Sequence, residues 1–163
     1  MSRTNIPVMG HADGICHIYV DKDYDMAKAI PIVIDAKTQY TAACNAAETL
    51  LVHRDIAKDF LPVLEKAAGE KYIRLRGTKE AGEIIPLDII EDDDFRHEYL
   101  DLVLAVKIVS GVDEAVNHIN RYGSHHTDAI ITENINTAAR FMQLVDSAGV
   151  YQNASTRFAD GFR

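Results

Sequence analysis

Apolar positions along the chain fall into short β-branched runs separated by stretches with helical spacing. Ile15-Cys16-His17-Ile18-Tyr19-Val20 is bracketed by Gly14 and Asp21 and reads as a strand. Asp21 and Asp23 offer capping oxygens to a helix over about 24–38, in which Met26, Ala29, Ile30, Val33 and Ala36-Lys37 recur at helical spacing. Pro31 falls inside that stretch, where it either kinks the helix or marks its first turn, because the prolyl ring removes a backbone bond and crowds the turn before it. A run of small residues over 41–47 leads into a strand over 49–53, and Asp55 opens a second helix ended by Gly69. Further strands are predicted over 72–75, 102–109, 129–132 and 150–153. Further helices are predicted over 112–122, closed by Gly123, and over 136–148, stopped by Gly149. The stretch holding Gly77, Gly82 and Pro86 is turn-rich, and Glu91-Asp92-Asp93-Asp94 reads as a solvated helix start favoured by the helix dipole. Strands alternating with helices at this spacing predict a three-layer α/β domain with a mostly parallel sheet.

Composition narrows the functional classes. The 163 residues are 47% hydrophobic and 26% charged, which suits one globular domain and excludes a largely disordered chain, a collagen-like chain and a disulfide framework. A net charge of −8, with no basic cluster longer than Arg74-Leu75-Arg76, argues against nucleic acid or an anionic membrane surface as partner. The start, Met1-Ser2-Arg3-Thr4-Asn5, lacks the apolar core of a secretory leader, so Cys16 and Cys44 are expected to be reduced thiols in the cytoplasm. Apolar runs such as 102–106 fall far short of the roughly 20 residues of a membrane helix.

Candidate chemistry centres on Cys44. A thiol among small residues, on a turn leading into a strand, can meet a substrate, with backbone N–H groups facing a developing oxyanion. The opposing reading is that a free cysteine among alanines is a small buried hydrophobe, and Cys16, mid-strand between Ile15 and His17, fits that description. No metal is expected: there is no Cys-x-x-Cys, and His11, Cys16 and His17 lack zinc spacing. The pair His125-His126 reads as surface or substrate-facing side chains. Gly10-His11-Ala12-Asp13-Gly14 carries glycines but neither the Gly-x-Gly-x-x-Gly pattern nor a Lys-Ser/Thr ending, so no dinucleotide fingerprint is present.

Several separate segments share one resemblance. Between Val109 and Ile130, the positions Ala115-Val116, His118-Ile119, Tyr122-Gly123-Ser124 and His126-Thr127-Asp128 resemble the signature of the γ-glutamyl phosphate reductases, or glutamate-5-semialdehyde dehydrogenases, of the aldehyde dehydrogenase superfamily. The likeness extends through Gly10-His11-Ala12-Asp13-Gly14-Ile15-Cys16-His17, Asp35-Ala36-Lys37, the segment 43–51 and Asn153-Ala154-Ser155-Thr156-Arg157 to Gly161, covering nearly the whole chain. Thr41 replaces an expected proline and Gln152 an expected valine.

The resemblance implies an aldehyde dehydrogenase-like catalytic domain over 6–163, with 1–5 a tail and the cofactor-binding domain absent from this stretch. It implies NADPH-dependent reduction of γ-glutamyl phosphate in proline biosynthesis, with Cys44 as the nucleophile that forms a thioester; Asn45, next to it, is expected either to orient the loop or to contribute its backbone N–H. The stretch Ile6-Pro7-Val8-Met9-Gly10 carries no carboxylate where hydrolytic relatives place a water-activating glutamate, as suits an enzyme whose thioester must await hydride. Glu98 is matched to the superfamily glutamate on the nicotinamide ribose, the alternative being an exposed helix-end glutamate. Residues 153–157 follow the last strand, and ligands of open α/β sheets gather at the carboxyl ends of strands, so Arg157 is expected to clamp the substrate α-carboxylate with Ser155 and Thr156 adding hydroxyls, the alternative being a surface salt bridge; His126 is also assigned to substrate binding. NADPH then requires the missing domain, and the isolated chain is expected to be inactive. Apolar stretches at 6–9 and 158–162 favour self-association. The rival class is a non-enzymatic binding or regulatory module on the same fold, for which Cys44 reactivity would be irrelevant.

Overall fold

The computed structural model describes residues 13–160. Strands β1 (Cys16–Val20), β2 (Ala47–His53), β3 (Arg74–Gly77), β4 (Asp88–Ile89), β5 (Val103–Val109), β6 (Thr127–Ile131) and β7 (Gly149–Gln152) alternate with helices α1 (Met26–Thr38), α2 (Ala57–Glu70), α3 (Lys79–Gly82), α4 (Val112–Tyr122) and α5 (Ile135–Leu144). The strands form one seven-stranded sheet in the order β4-β3-β5-β2-β1-β6-β7, and every pairing is parallel. The sheet expected to be mostly parallel is therefore wholly so.

Successive side chains on the central strands alternate between two cores, as the two-residue period of a strand requires. Ile18, Val20, Leu50, Val52, Leu104 and Val106 pack with Ala29 and Val33 of α1 and Phe60 and Leu64 of α2. Tyr19, Leu51 and Ile130 point the other way, against Ala115 and Ile119 of α4 and Phe141 of α5. Helices thus cover both faces, which gives the predicted three layers. Among the described residues no helix is long and apolar enough to cross a membrane.

Local differences from the sequence reading have identifiable causes. The cap of α1 is Asp25, whose carboxylate accepts from Ala27 N at 2.9 Å, rather than Asp21 or Asp23. Those two are engaged elsewhere: Asp21 is buried and accepts from Tyr19 and Thr132 hydroxyls, and Asp23 accepts from Asn134 Nδ2. Pro31 lies inside α1, past its first turn. The last helix stops at Leu144, short of Gly149, because Asn120 accepts from Asp146 N and donates to Leu144 O, each at 2.9 Å, and draws that stretch out of the helix. Gly149 begins β7 instead of ending a helix. The acidic run becomes a 3₁₀ turn over Asp92–Arg96 with a reciprocal Glu91/Asp94 cap. The expected tail at 1–5 and the apolar stretches 6–9 and 161–162 lie outside the described residues; Phe158, also named for self-association, is half exposed.

With all strands running one way, their amino ends share one edge. Residues 41–46, which carry Cys44, stand at that edge immediately before β2, beside the start of β1.

Candidate active site

The turn after α1 is built by backbone bonds from Ala43 N to Tyr40 O and from Ala46 N to Ala43 O. It is pressed against the residues leading into β1. A Cβ on Gly14 would stand 2.1 Å from the Cys44 carbonyl oxygen and 2.4 Å from its Cα, so only glycine permits this approach. From the other side Cys16 Sγ donates to the same carbonyl at 3.2 Å. Cys16 is fully buried, and burial, reinforced by the negative charge of Asp128, pushes its thiol well above the ordinary range. Cys44 is half-buried. One thiol is thus an enclosed, protonated clasp on the other's backbone, and the second belongs to a residue that is only partly buried.

Asn45 is fully buried, and its Nδ2 donates to Asp160 at 2.7 Å. The other Asp160 oxygen accepts from Arg157 Nη2 at 2.6 Å, while Arg157 Nε donates to Gln39 at 3.2 Å. Gln39, Arg157, Asp160 and Asn45 thereby close a chain that holds both ends of the cysteine turn. Ser155 accepts from Arg157 N, and Thr156 is buried with its hydroxyl unpartnered among the described residues. The Arg157 guanidinium is itself buried, with Nη1 enclosed and unpartnered among the described residues, and it makes the salt bridge weighed as its alternative, from beneath the surface to the half-exposed Asp160.

What delivers this segment is a turn at Asn153, whose φ of 50° lies in the left-handed region that asparagine tolerates. Its side chain bonds both the N–H and the carbonyl of Thr132, continuing the sheet pattern with an amide while the main chain leaves β7. Gln152, the residue in place of an expected valine, adds a bond from its Nε2 to Thr132 O. The chain then crosses α1 to reach Gln39. Open α/β sheets usually bind ligands at the carboxyl ends of their strands; here the residues after β7 return to the amino edge, where Cys44 lies.

Glu98 is half-buried beyond the 3₁₀ turn rather than at an exposed helix end, and its Oε1 accepts from Gly14 N at 2.8 Å. It thus reaches the Cys44 backbone through one glycine. His126 stands at the same edge but at the head of β6, two strand spacings or about 10 Å from β2, with Nδ1 paired to Thr127 Oγ1. The structure brings Cys44, Asn45, Arg157 and Glu98 into one connected set and places His126 two strands from β2.

The helix N-termini among the described residues offer no ready phosphate site. A dinucleotide pyrophosphate is commonly held at a free helix N-terminus or in a glycine cradle. Here α1 is capped by Asp25 and α5 by Asn134, α2 carries Asp59 in its first turn and α4 carries Asp113 and Glu114, all of which repel or pre-empt a phosphate. Among these residues, too, no three His, Cys, Asp or Glu side chains are grouped to ligate a metal.

Sequence reading missed Gln39, which acts across 118 residues from Arg157 and leaves no local pattern, and Asp160, whose spacing of three from Arg157 was the available signal. It also passed over Lys37 and Glu48, which form a buried ion pair at 2.8 Å. A lysine on the apolar stripe of α1, beside Val33 and Ala36, is the signal that was available.

No family model matches the chain. It is 58% identical over 161 residues to γ-glutamyl phosphate reductase 1 of Synechocystis sp., matching 99% of this chain and 37% of that protein. The resemblance to γ-glutamyl phosphate reductase holds along the whole chain. The reductase of Pelotomaculum thermopropionicum is 56% identical over 163 residues, with 38% of its length matched. The crystal structure of the Thermotoga maritima γ-glutamyl phosphate reductase superposes with a TM-score of 0.94 at 46% identity, covering 98% of this chain and 39% of that one. An acetylating aldehyde dehydrogenase from Geobacillus thermoglucosidasius, 22% identical, has a TM-score of 0.74 over 96% of this chain and 44% of its own, which shows the shared fold. The chain therefore has the aldehyde dehydrogenase-like architecture and spans somewhat more than a third of the γ-glutamyl phosphate reductases it matches.

Proposed function

We propose that residues 6–163 are the cysteine-bearing catalytic domain of a cytoplasmic, NADPH-dependent γ-glutamyl phosphate reductase that forms glutamate 5-semialdehyde for proline biosynthesis. The observation that carries this reading is the accessible Cys44 on a turn gripped by Gly14, Cys16 and the Asn45–Asp160–Arg157 chain, in a sequence similar throughout to reductases of that name. In the first half-reaction the Cys44 thiolate attacks the γ-carbonyl carbon. A C–S bond forms, the C–O bond to phosphate breaks, and phosphate leaves with that electron pair, giving a thioester. Asn45, bonded to Asp160, serves this step by fastening the turn. With Nη2 and Nε of Arg157 already engaged, a substrate carboxylate would meet Nη1 alone rather than a two-pronged fork. Ser155, Thr156 and His126 remain candidates for the rest of the substrate. Reduction of the thioester needs NADPH, whose binding domain is expected outside these residues, so on this reading that half-reaction belongs to a longer parent protein.

The test compares two near-isosteric changes in the parent enzyme. Cys44→Ser should abolish turnover, by at least about a thousandfold given the weak nucleophilicity of an unactivated hydroxyl, and leave the melting temperature unchanged. Cys16→Ser should keep the nucleophile but lose about 1–3 kcal/mol of stability by burying a hydroxyl in the sheet. An active Cys44→Ser enzyme overturns the assignment.

A further inference from the structure

Lys37, in the last turn of α1, and Glu48, near the start of β2, bracket residues 38–47 and therefore the cysteine turn. Lys37 Nζ donates to Glu48 Oε2 at 2.8 Å, and both side chains are at most 2% exposed. Burial pushes the Glu48 carboxyl up and the Lys37 ammonium down, in each case against the attraction of the partner charge. A pair so dehydrated adds little to stability, since apolar residues of equal volume would serve a core as well or better. What it supplies is a fixed distance.

Glu48 also faces a third segment. Its Oε1 accepts from Leu100 N at 3.4 Å, and Leu100 holds a φ of 54°, a conformation that a leucine keeps only where its surroundings impose it. Two residues earlier Glu98 accepts from Gly14 N, and Gly14 lies against the Cys44 backbone. One carboxylate therefore joins the end of α1, the start of β2 and the segment 98–100, and these three enclose the cysteine turn.

We propose that Glu48, through its bonds to Lys37 and Leu100 N, is a positioning residue that fixes the Cys44 turn relative to the segment carrying Glu98. The proposal rests on the reading of Cys44 as the nucleophile only for its catalytic consequence; the effect on the thiol's setting is independent of it.

The test uses the full-length reductase and two variants. Glu48→Asp keeps the charge and the lysine's partner but is one methylene too short to reach Lys37 and Leu100 together. Lys37→Met/Glu48→Leu removes both charges and keeps the core filled. In each, the melting temperature should stay near that of the parent, while the rate of Cys44 alkylation by iodoacetamide, followed by mass spectrometry, changes at least about fivefold and kcat falls at least about tenfold with KM within about twofold, as displacement of a nucleophile by a fraction of an ångström would cause. Lys37→Met/Glu48→Gln, whose amide oxygen can still accept from Leu100 N, should recover part of both. Normal alkylation and kcat in either the Asp or the Met/Leu variant overturn the proposal, and Glu48→Asp decides should the Met/Leu protein fail to fold. Altered alkylation with unchanged kcat sustains the positioning role and counts instead against Cys44 as the nucleophile.

Discussion

Gly14→Ala is the smallest change that should separate stability from catalysis. The added methyl would lie 2.1, 2.4 and 2.6 Å from the carbonyl oxygen, Cα and carbonyl carbon of Cys44, where ordinary contact begins near 3.4 Å. All three atoms are backbone, so relief requires the cysteine turn and the start of β1 to part by about 1 Å, within the range in which overpacking costs about 1–3 kcal/mol. The same movement stretches the bond from Gly14 N to Glu98 and that from Cys16 Sγ to the Cys44 carbonyl. Loss of the first, to a carboxylate, adds about 1.5–3 kcal/mol. The sum, about 2.5–6 kcal/mol as an upper range, lowers the melting temperature by roughly 5–24 °C for a domain of 150–250 residues. Catalysis should suffer more steeply, because a nucleophile displaced by about 1 Å loses on the order of a hundredfold in kcat. Thermal melts and steady-state turnover of the parent reductase at a temperature where the variant is folded measure the two effects. A folded Gly14→Ala enzyme with kcat within about threefold of the parent would show that the contact does not set the position of Cys44.

Arg157→Lys should raise KM for the acyl phosphate several-fold with a smaller fall in kcat if Nη1 meets the substrate; a fall in kcat alone would mean that the guanidinium serves only to hold Gln39 and Asp160. His118 packs edge-on to Phe95 at 4.8 Å, and burial, with the nearby His17, Lys107 and Arg121, pushes it down to about 2. The fold therefore holds it neutral, whereas the unfolded chain protonates it below about 6.5. Stability present above pH 6.5 is lost as the pH falls toward 2, by about 2 kcal/mol at pH 5. Urea midpoints of His118→Phe should lack that increment between pH 7 and 5, and parallel pH dependences in the two proteins would refute it. The 163-residue chain alone should show no micromolar affinity for NADPH in a calorimetric titration, since the helix N-termini described here carry their own carboxylates or caps.

Where periodicity and local chemistry agreed, the chain could be read directly. The helix Val112–Tyr122 and its closing Gly123 come from a strong apolar stripe and a terminal glycine, and the central strands from short, mostly apolar runs rich in β-branched residues. Failures arose where a distant side chain intervened: Asn120 unwinding the end of α5, or Asn134 taking up Asp23 and leaving Asp25 as the cap. The site divides in the same way. Cys44 and Asn45 are adjacent and belong to a recognisable motif, but Asp160 binds Asn45 across 115 residues, and no local pattern announces such a partner. Lys37 was visible as an anomaly, a cation on an apolar face, whose meaning needed the position of Glu48.

The Asn45–Asp160 bond also has a bearing on biosynthesis. A ribosome adding 5–20 residues per second needs roughly 6–23 s to travel the 115 residues between those two positions. The contact of Gly14 with the Cys44 carbonyl becomes available early, the bond from Gly14 N to Glu98 follows once the chain is 54 residues past Cys44, and the Asp160 fastening comes last. Throughout that interval the nascent chain carries its accessible thiol on a half-tethered turn, so exposure of Cys44 to oxidants and electrophiles should be greatest before synthesis passes Asp160.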